Sequence, residues 1–423
     1  MKQVVRKTEL KNGITVLTDY MPHAYSVAVG AWIPRGSRHE TKDEYGLSHF
    51  YEHLVFKGTK NRTALEIARA IEDHGGNLEA YTTRQETGFY AQIERSQLPL
   101  AVDVIADMLM HPRMEKGEME KERRVIIEEI HSYDDIPEEI VGDIFNAIHF
   151  KGSGIAHSIT GNIRQVKALT HRQMLKYKEQ VISEIPLLIC ASGKVDHGEL
   201  VRLCAEKFSQ KKVNGDLPTD TYKAHNSVKV VQKQDIAQSN LFWGLSFDRE
   251  LMDERGRCAL SLFNVAMGAG MASRLFQKIR EDRGLAYSVY STADIYCDCT
   301  DWGVSLATEP QQLKTAMDIS LSETHDFLKH GFRKGEFERT RANILGGMYL
   351  GADSPDKRVV RMAEQVLHLG EFHTMEQSEK ILLSMTEDEV VETINKLFGV
   401  AKFSAAVIEP AGRKKTELDL NFF

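Results

Sequence analysis

His49-Phe50-Tyr51-Glu52-His53 places two imidazoles and a carboxylate within five residues. On an α-helix, at about 100° per residue, His49 and His53 stand one turn apart on one face and Glu52 falls beside them. Two imidazoles at that spacing can hold one zinc ion, and the carboxylate can reach a water on it. The order H-x-x-E-H is that of the inverted zincins. Catalytic zinc takes three protein ligands and leaves one position open. The third is expected from residues 122–130, Glu-Arg-Arg-Val-Ile-Ile-Glu-Glu-Ile, a strongly helical run. Glu122 and Glu129 are seven apart and share a face with Ile126. Glu128 points elsewhere and sits four after Arg124, the spacing of a surface ion pair. Glu129 is therefore the expected ligand, and Glu122 a carboxylate that orients a ligand or the water from behind. The set predicts one Zn²⁺ per chain.

Gly36-Ser37-Arg38-His39-Glu40, then Gly46, the 49–53 core and Phe56-Lys57-Gly58-Thr59 resemble the pitrilysin family of zinc peptidases, in particular the subgroup of mitochondrial processing peptidase and its bacterial relatives. The resemblance runs over nearly the whole chain. It implies a glutamate ligand about 76 residues beyond the second histidine, which here is Glu129. It also implies an edge strand that accepts substrate as an added β-strand, matched by the Thr- and Tyr-rich segment 77–87. Glu79 stands there where the family more often has Asn. Residues 268–288 read as a Gly-rich turn, a basic amphipathic helix and a turn into a strand. They resemble the family segment that brings an arginine and a tyrosine, seven apart, to the zinc from the partner domain; Arg280 and Tyr287 have that spacing.

These groups need elements to hold them. At 423 residues, with 42% apolar and 27% charged content, the chain is a globular protein of two or more domains. A net charge of −7 argues against nucleic-acid binding. Five cysteines without framework spacing suggest a reducing compartment; alternation would put Cys297 and Cys299 on one face of a strand. No apolar stretch follows the N-terminal charges and none is long enough to span a bilayer, so a cytoplasmic protein without membrane contact is expected.

Asn12-Gly13 predicts a hairpin between residues 8–10 and 14–19, and Tyr25–Ile33 reads as a strand. Ser48 is the expected cap of the 49–53 helix. Helices are expected over 63–74, 98–110, 115–133 and 200–208, with a capping box at Thr170. Residues 211–226 are polar, with Gly, Pro and two Asp, and predict a linker between domains 1–215 and 226–423.

The second half repeats the first. Val27–Gly30 matches Leu241–Gly244 at an offset of 214, which carries His49, Glu52 and His53 onto Phe263, Ala266 and Met267. At 216, Glu122 meets Glu338 and Glu129 meets Leu345. The expected architecture is α+β: two homologous domains, each a mainly antiparallel sheet packed against helices, arranged by the resemblance as a clam-like pair with metal chemistry only in the first. The expected function is zinc-dependent cleavage of extended peptides, with Glu52 as base and Arg280 and Tyr287 on the substrate or oxyanion. The partner is the peptide, with no nucleic acid, and the protein works as a homodimer or as a heterodimer with a related subunit. The alternative is a non-catalytic or partner-dependent subunit of a processing-peptidase-like heterodimer or respiratory core complex.

Overall fold

The computed structural model describes residues 3–209, 211 and 220–418, so residues 212–219 of the expected linker lie outside it. Two compact units result. The first is Met1–His131, His157–Asp220 and Leu350–Glu376; the second is Ser132–Ala156, Thr221–Tyr349 and Gln377–Phe423.

The first unit is built on six strands: β1 (Val4–Glu9), β2 (Thr15–Tyr20), β3 (Ser26–Ile33), β4 (Asn77–Thr82), β5 (Thr87–Glu94) and β6 (Leu188–Gly193). The Asn12-Gly13 turn, with Gly13 at φ +83°, closes the β1–β2 hairpin. The order is β1-β2-β6-β3-β5-β4, with β2 and β6 parallel and every other pair antiparallel. β4 is thus an edge strand. The second unit holds β7 (Ser227–Lys233), β8 (Ser239–Asp248), β9 (Ala286–Ile295), β10 (Cys299–Thr308) and β11 (Lys402–Pro410), ordered β7-β11-β8-β10-β9. Matching β2, β6, β3, β5 and β4 to β7, β11, β8, β10 and β9 gives one shared order. The single parallel pair, β7 with β11, falls at the same place. The internal repeat is therefore a repeat of topology, and the fold is the expected α+β pair of mainly antiparallel sheets.

Two helices carry the candidate ligands, α1 (Leu47–Val55) and α2 (Lys116–Asp134); among the others are α3 (Pro137–His149), α4 (Glu254–Met267), α5 (Glu336–Ala352) and α6 (Pro355–Glu364). Alternation gives each sheet two faces. Val27, Val29 and Ala31 of β3 enter the main core of the first unit with α1 and α2. Ala28 and Trp32 point the other way and are covered, with Leu17, Leu188 and Cys190, by Val359, Met362 and Ala363 of α6. In the second unit Phe242, Ala406 and Ile408 are covered by Val141 and Phe145 of α3. A division at 211–226 separates the two sheets, yet each unit also takes in one helix from the opposite half of the sequence. The exchange is reciprocal: Ser132–Ala156, with α3, belongs to the second unit and Leu350–Glu376, with α6, to the first, and Pro137 and Pro355 open the two helices.

Cys297 and Asp298 lie in the turn before β10, which begins at Cys299, so the two thiols do not share a strand face as expected. No disulfide joins the described cysteines. No helix among the described residues is long and apolar enough to cross a membrane.

Candidate metal centre

α1 buries Leu47, Phe50, Tyr51, Leu54 and Val55 in the core, which leaves the face bearing His49, Glu52 and His53 turned to α2 and β4. Its N-terminus differs from expectation. Ser48 lies inside the helix and the cap is Gly46, at φ +87°. A side chain there would be strained, and its Cβ would stand 2.4 Å from the Thr160 carbonyl. The polar work of the cap falls to Glu40, whose two oxygens accept from the Gly46 and Ser48 N–H groups at 2.7 and 2.6 Å.

α2 buries Met119, Glu122, Ile126 and Ile130, and the three apolar residues share the core of the first unit with α1. The Arg123 guanidinium lies 5.3 Å from the Phe50 ring, a contact that joins α2 to α1 in this register, and it also donates to the Leu169 carbonyl. With that register set, Glu129 faces both histidines: its oxygens are 3.6 Å from His49 Nε2 and 3.6 Å from His53 Nε2. One ligand atom from each of the three residues lies within 4.8 Å of the others.

These distances test the fit to zinc. They are too long for hydrogen bonds. Two donors at about 2.0–2.1 Å from a tetrahedral ion stand about 3.3 Å apart, and the spacing found is near that figure. The donor set, two imidazole nitrogens and a carboxylate, is that of an open zinc site. Burial, with His53 adding to it, pushes His49 down to about 3, so this ring is neutral and keeps a lone pair.

Glu122 is buried behind His53. Its Oε2 lies 3.2 Å from His53 Nδ1 and its Oε1 3.0 Å from Lys57 Nζ. A carboxylate on Nδ1 selects the tautomer whose Nε2 lone pair is free. Glu52 lies beside the histidines with its Oε2 accepting from Thr82 Oγ1 at 2.5 Å. Burial raises its carboxyl above the usual range, against the opposing effect of the Thr82 bond. Burial also raises Glu129.

The structure thus brings His49, His53, Glu129, Glu52 and Glu122 together within the first unit. Arg280 and Tyr287 form a pair of their own in the second. The Arg280 guanidinium lies 4.6 Å from the Tyr287 ring and donates to the Tyr287 carbonyl at 2.9 Å, from a segment, Phe276–Glu281, wound as a π-helix. Tyr287 is 78% exposed. Sequence reasoning did not assign Glu40 or Thr82 a place in the site. Only their membership of polar, motif-like segments could have signalled it.

The profile of the insulinase (M16) peptidase family matches residues 15–162, and that of the M16 inactive domain matches residues 168–344. An uncharacterized zinc protease of Mycobacterium tuberculosis strain H37Rv is 32% identical over 416 residues, which covers 97% of this chain and 94% of the relative. The uncharacterized zinc protease YmxG of Bacillus subtilis is 29% identical over 415 residues, covering 97% and 99%. The crystal structure of a protease from Helicobacter pylori superposes with a TM-score of 0.90 at 17% identity, over 97% of this chain and all of that one. Phe263, Ala266 and Met267, which stand at the positions of the histidines and the glutamate, fall inside the stretch that matches the inactive domain, and all three are fully buried.

Proposed function

This chain belongs to the M16 peptidase family, and we propose on that footing that it is a zinc-dependent endopeptidase acting on extended peptides. The observation that carries the proposal is the convergence of His49, His53 and Glu129 at ligand spacing with Glu52 beside them. His49 Nε2, His53 Nε2 and the Glu129 carboxylate would hold one Zn²⁺ per chain. When bound, the ion supplies Lewis acidity, lowering the pKa of water toward neutrality and polarising the scissile carbonyl.

The chain's own groups do the rest. Glu52 accepts the proton of the attacking water and returns it to the leaving amine. Its burial suits that role, because a carboxyl raised above the usual range holds a proton more readily at neutral pH. Glu122 keeps the His53 proton on Nδ1. The edge strand β4 would bind an extended peptide through main-chain hydrogen bonds. Arg280 and Tyr287 are assigned to the substrate backbone or the developing oxyanion, on the family spacing alone. A homodimer, or a heterodimer with a related subunit, is part of the same reading.

The test is cleavage of a quenched, unstructured peptide library by the purified protein, alone, after chelation, after zinc add-back, and as Glu52→Gln. Cleavage should follow the metal. Glu52→Gln should keep its zinc and lose turnover by about a hundredfold or more. A Glu52→Gln protein that cleaves like the parent would remove the assignment of the base.

A further inference from the structure

We propose that Thr82 is a positioning residue for the base: its hydroxyl clamps Glu52 Oε2 and leaves Oε1 as the oxygen that exchanges protons with water and leaving group. This rests on the peptidase reading given above.

The geometry is specific. Thr82 Oγ1 donates to Glu52 Oε2 at 2.5 Å, a short bond of the charge-assisted kind. Among the described residues no group is bonded to Oε1. Thr82 is the last residue of edge strand β4, and the turn that follows it is fixed in place. The Thr83 and Arg84 carbonyls accept from the Ser37 and Arg38 N–H groups at 3.2 and 2.9 Å, and the Thr83 N–H closes the turn on the Glu86 carbonyl at 2.8 Å. The fit is tight enough that a Cβ at Gly36 would stand 2.3 Å from the Thr83 oxygen. His368 Nε2 holds Glu86 Oε2 at 2.7 Å from the far side of the turn. The hydroxyl is therefore presented from a rigid frame, which is the requirement for orienting a catalytic group to a fraction of an ångström.

The internal repeat supplies an independent observation. Gly30 pairs with Tyr90 and Gly244 with Gly303, and Glu79 and Thr292 then face Tyr90 and Gly303 in the neighbouring strand. That register carries Thr82 onto Ile295. In the second unit the carboxylate at position 52 becomes Ala266 and the hydroxyl at position 82 becomes an isoleucine. Hydroxyl and carboxylate are present together or absent together. A threonine kept for strand propensity alone would gain nothing from that pairing, since isoleucine serves a strand as well.

A consequence concerns the substrate. A peptide laid along β4 would lie on the same strand whose last residue aims the base, so the scissile carbonyl and the proton acceptor share one frame of reference. The bond's role is then in turnover, not in peptide affinity.

The experiment compares the parent with Thr82→Val, which keeps shape and strand propensity, and Thr82→Ser, which keeps the hydroxyl. Zinc content, kcat and KM are measured, and crystal structures of the three zinc-loaded proteins are compared at Glu52. The expected result for Thr82→Val is full zinc content, unchanged KM, kcat lower by about ten- to a hundredfold, and Glu52 spread over several rotamers. Thr82→Ser should restore both kcat and the single rotamer. The proposal is overturned if Thr82→Val keeps the parent kcat, if Glu52 holds one unchanged rotamer in it, or if Thr82→Ser is as impaired as Thr82→Val. A parent protein with no chelator-sensitive cleavage would instead sink the peptidase reading, and this proposal with it.

Discussion

Replacing Glu122 probes how the metal centre is held, and its outcome depends on Lys57. The carboxylate is 5% exposed and divides its oxygens between His53 Nδ1 at 3.2 Å and Lys57 Nζ at 3.0 Å. Removing such a partner of a ligating histidine costs about 10- to 100-fold in metal affinity, or about 1.4–2.7 kcal/mol. Two features place Glu122→Ala in the lower half of that range. The contact to Nδ1 is at the long end of hydrogen-bond distances, and Lys57 already neutralises part of the charge that His53 feels. About a tenfold loss of zinc affinity is expected.

Glu122→Gln, although nearly isosteric, should be at least as damaging as the alanine variant. An amide has one acceptor end and one donor end. With its oxygen toward His53, it turns its NH₂ against the Lys57 ammonium. With its oxygen toward Lys57, it donates to Nδ1 and drives the imidazole proton onto Nε2, where the ligand lone pair is needed. Lys57→Met removes the conflict, so it should recover much of the loss in Glu122→Gln and none in Glu122→Ala. The assay is competition for zinc against a chromophoric chelator at pH 7.5, on the purified single and double variants. A Glu122→Gln protein with the parent affinity would refute the reasoning, and so would a Lys57→Met change that failed to distinguish the two backgrounds.

Two further predictions concern stability. His149 of α3 is fully buried between two hydroxyls, with Ser404 Oγ at 3.0 Å from Nδ1 and Ser246 Oγ at 2.8 Å from Nε2. Ser404 spends its own proton on the His225 carbonyl, so Nδ1 is the donor to Ser404 Oγ. Burial pushes the His149 ring down to about 4 from 6.5. A folded pKa below the unfolded one gives stability that is present above about pH 6.5 and lost as pH falls toward 4, a loss of about 3 kcal/mol. Urea melts of the whole protein across pH 4–7 should show that acid limb, and His149→Asn should flatten it. The second prediction concerns Asp19, which is fully buried and accepts from Arg358 Nε of α6 at 2.7 Å and Gln3 Nε2 at 2.6 Å. Arg358→Met strands that carboxylate and should cost about 3 kcal/mol or more. Adding Asp19→Asn should return much of it, and additive effects in chemical denaturation would contradict the pairing.

What could be read in the sequence was set by how far each interaction reaches along the chain. His49, Glu52 and His53 lie within one turn and a half of helix, and Glu122 and Glu129 within two, so helical periodicity alone assigns each set to a face. The β1–β2 hairpin is as local, carried by Asn12-Gly13. The clamp of Thr82 on Glu52 joins residues 30 apart, on an edge strand and a helix, and no periodicity links them. The cap of α1 is of the same kind. Ser48 satisfies the local rule for a cap, but the helix starts at the left-handed Gly46, and the side chain that accepts from the Gly46 and Ser48 N–H groups is Glu40, reaching across a loop. α3 and α6 fail for another reason: amphipathic spacing states that a face must be buried, not which sheet will bury it. Val141 and Phe145 fit an apolar sheet face as Val359 and Met362 do, and the chain places each helix on the sheet of the other half.

The comparison of the two halves reaches further than either half alone. Within the first, His49, Glu52 and His53 could be three polar residues on a helix. In the second, the same three positions hold Phe263, Ala266 and Met267, and the Phe263 ring packs against Trp302, Phe327 and Phe398 at 4.8, 4.8 and 5.5 Å. The fold therefore has no structural need for polar groups at these positions, because an apolar cluster closes the same helix face. Keeping two imidazoles and a carboxylate there in the first unit, with His49 buried and its Nδ1 lacking a hydrogen-bond partner among the described residues, sacrifices packing of the kind that stabilises the second. Introducing Phe263, Ala266 and Met267 counterparts at positions 49, 52 and 53 should on this argument raise the stability of the first unit while abolishing zinc binding. That is the trade expected of a site kept for chemistry.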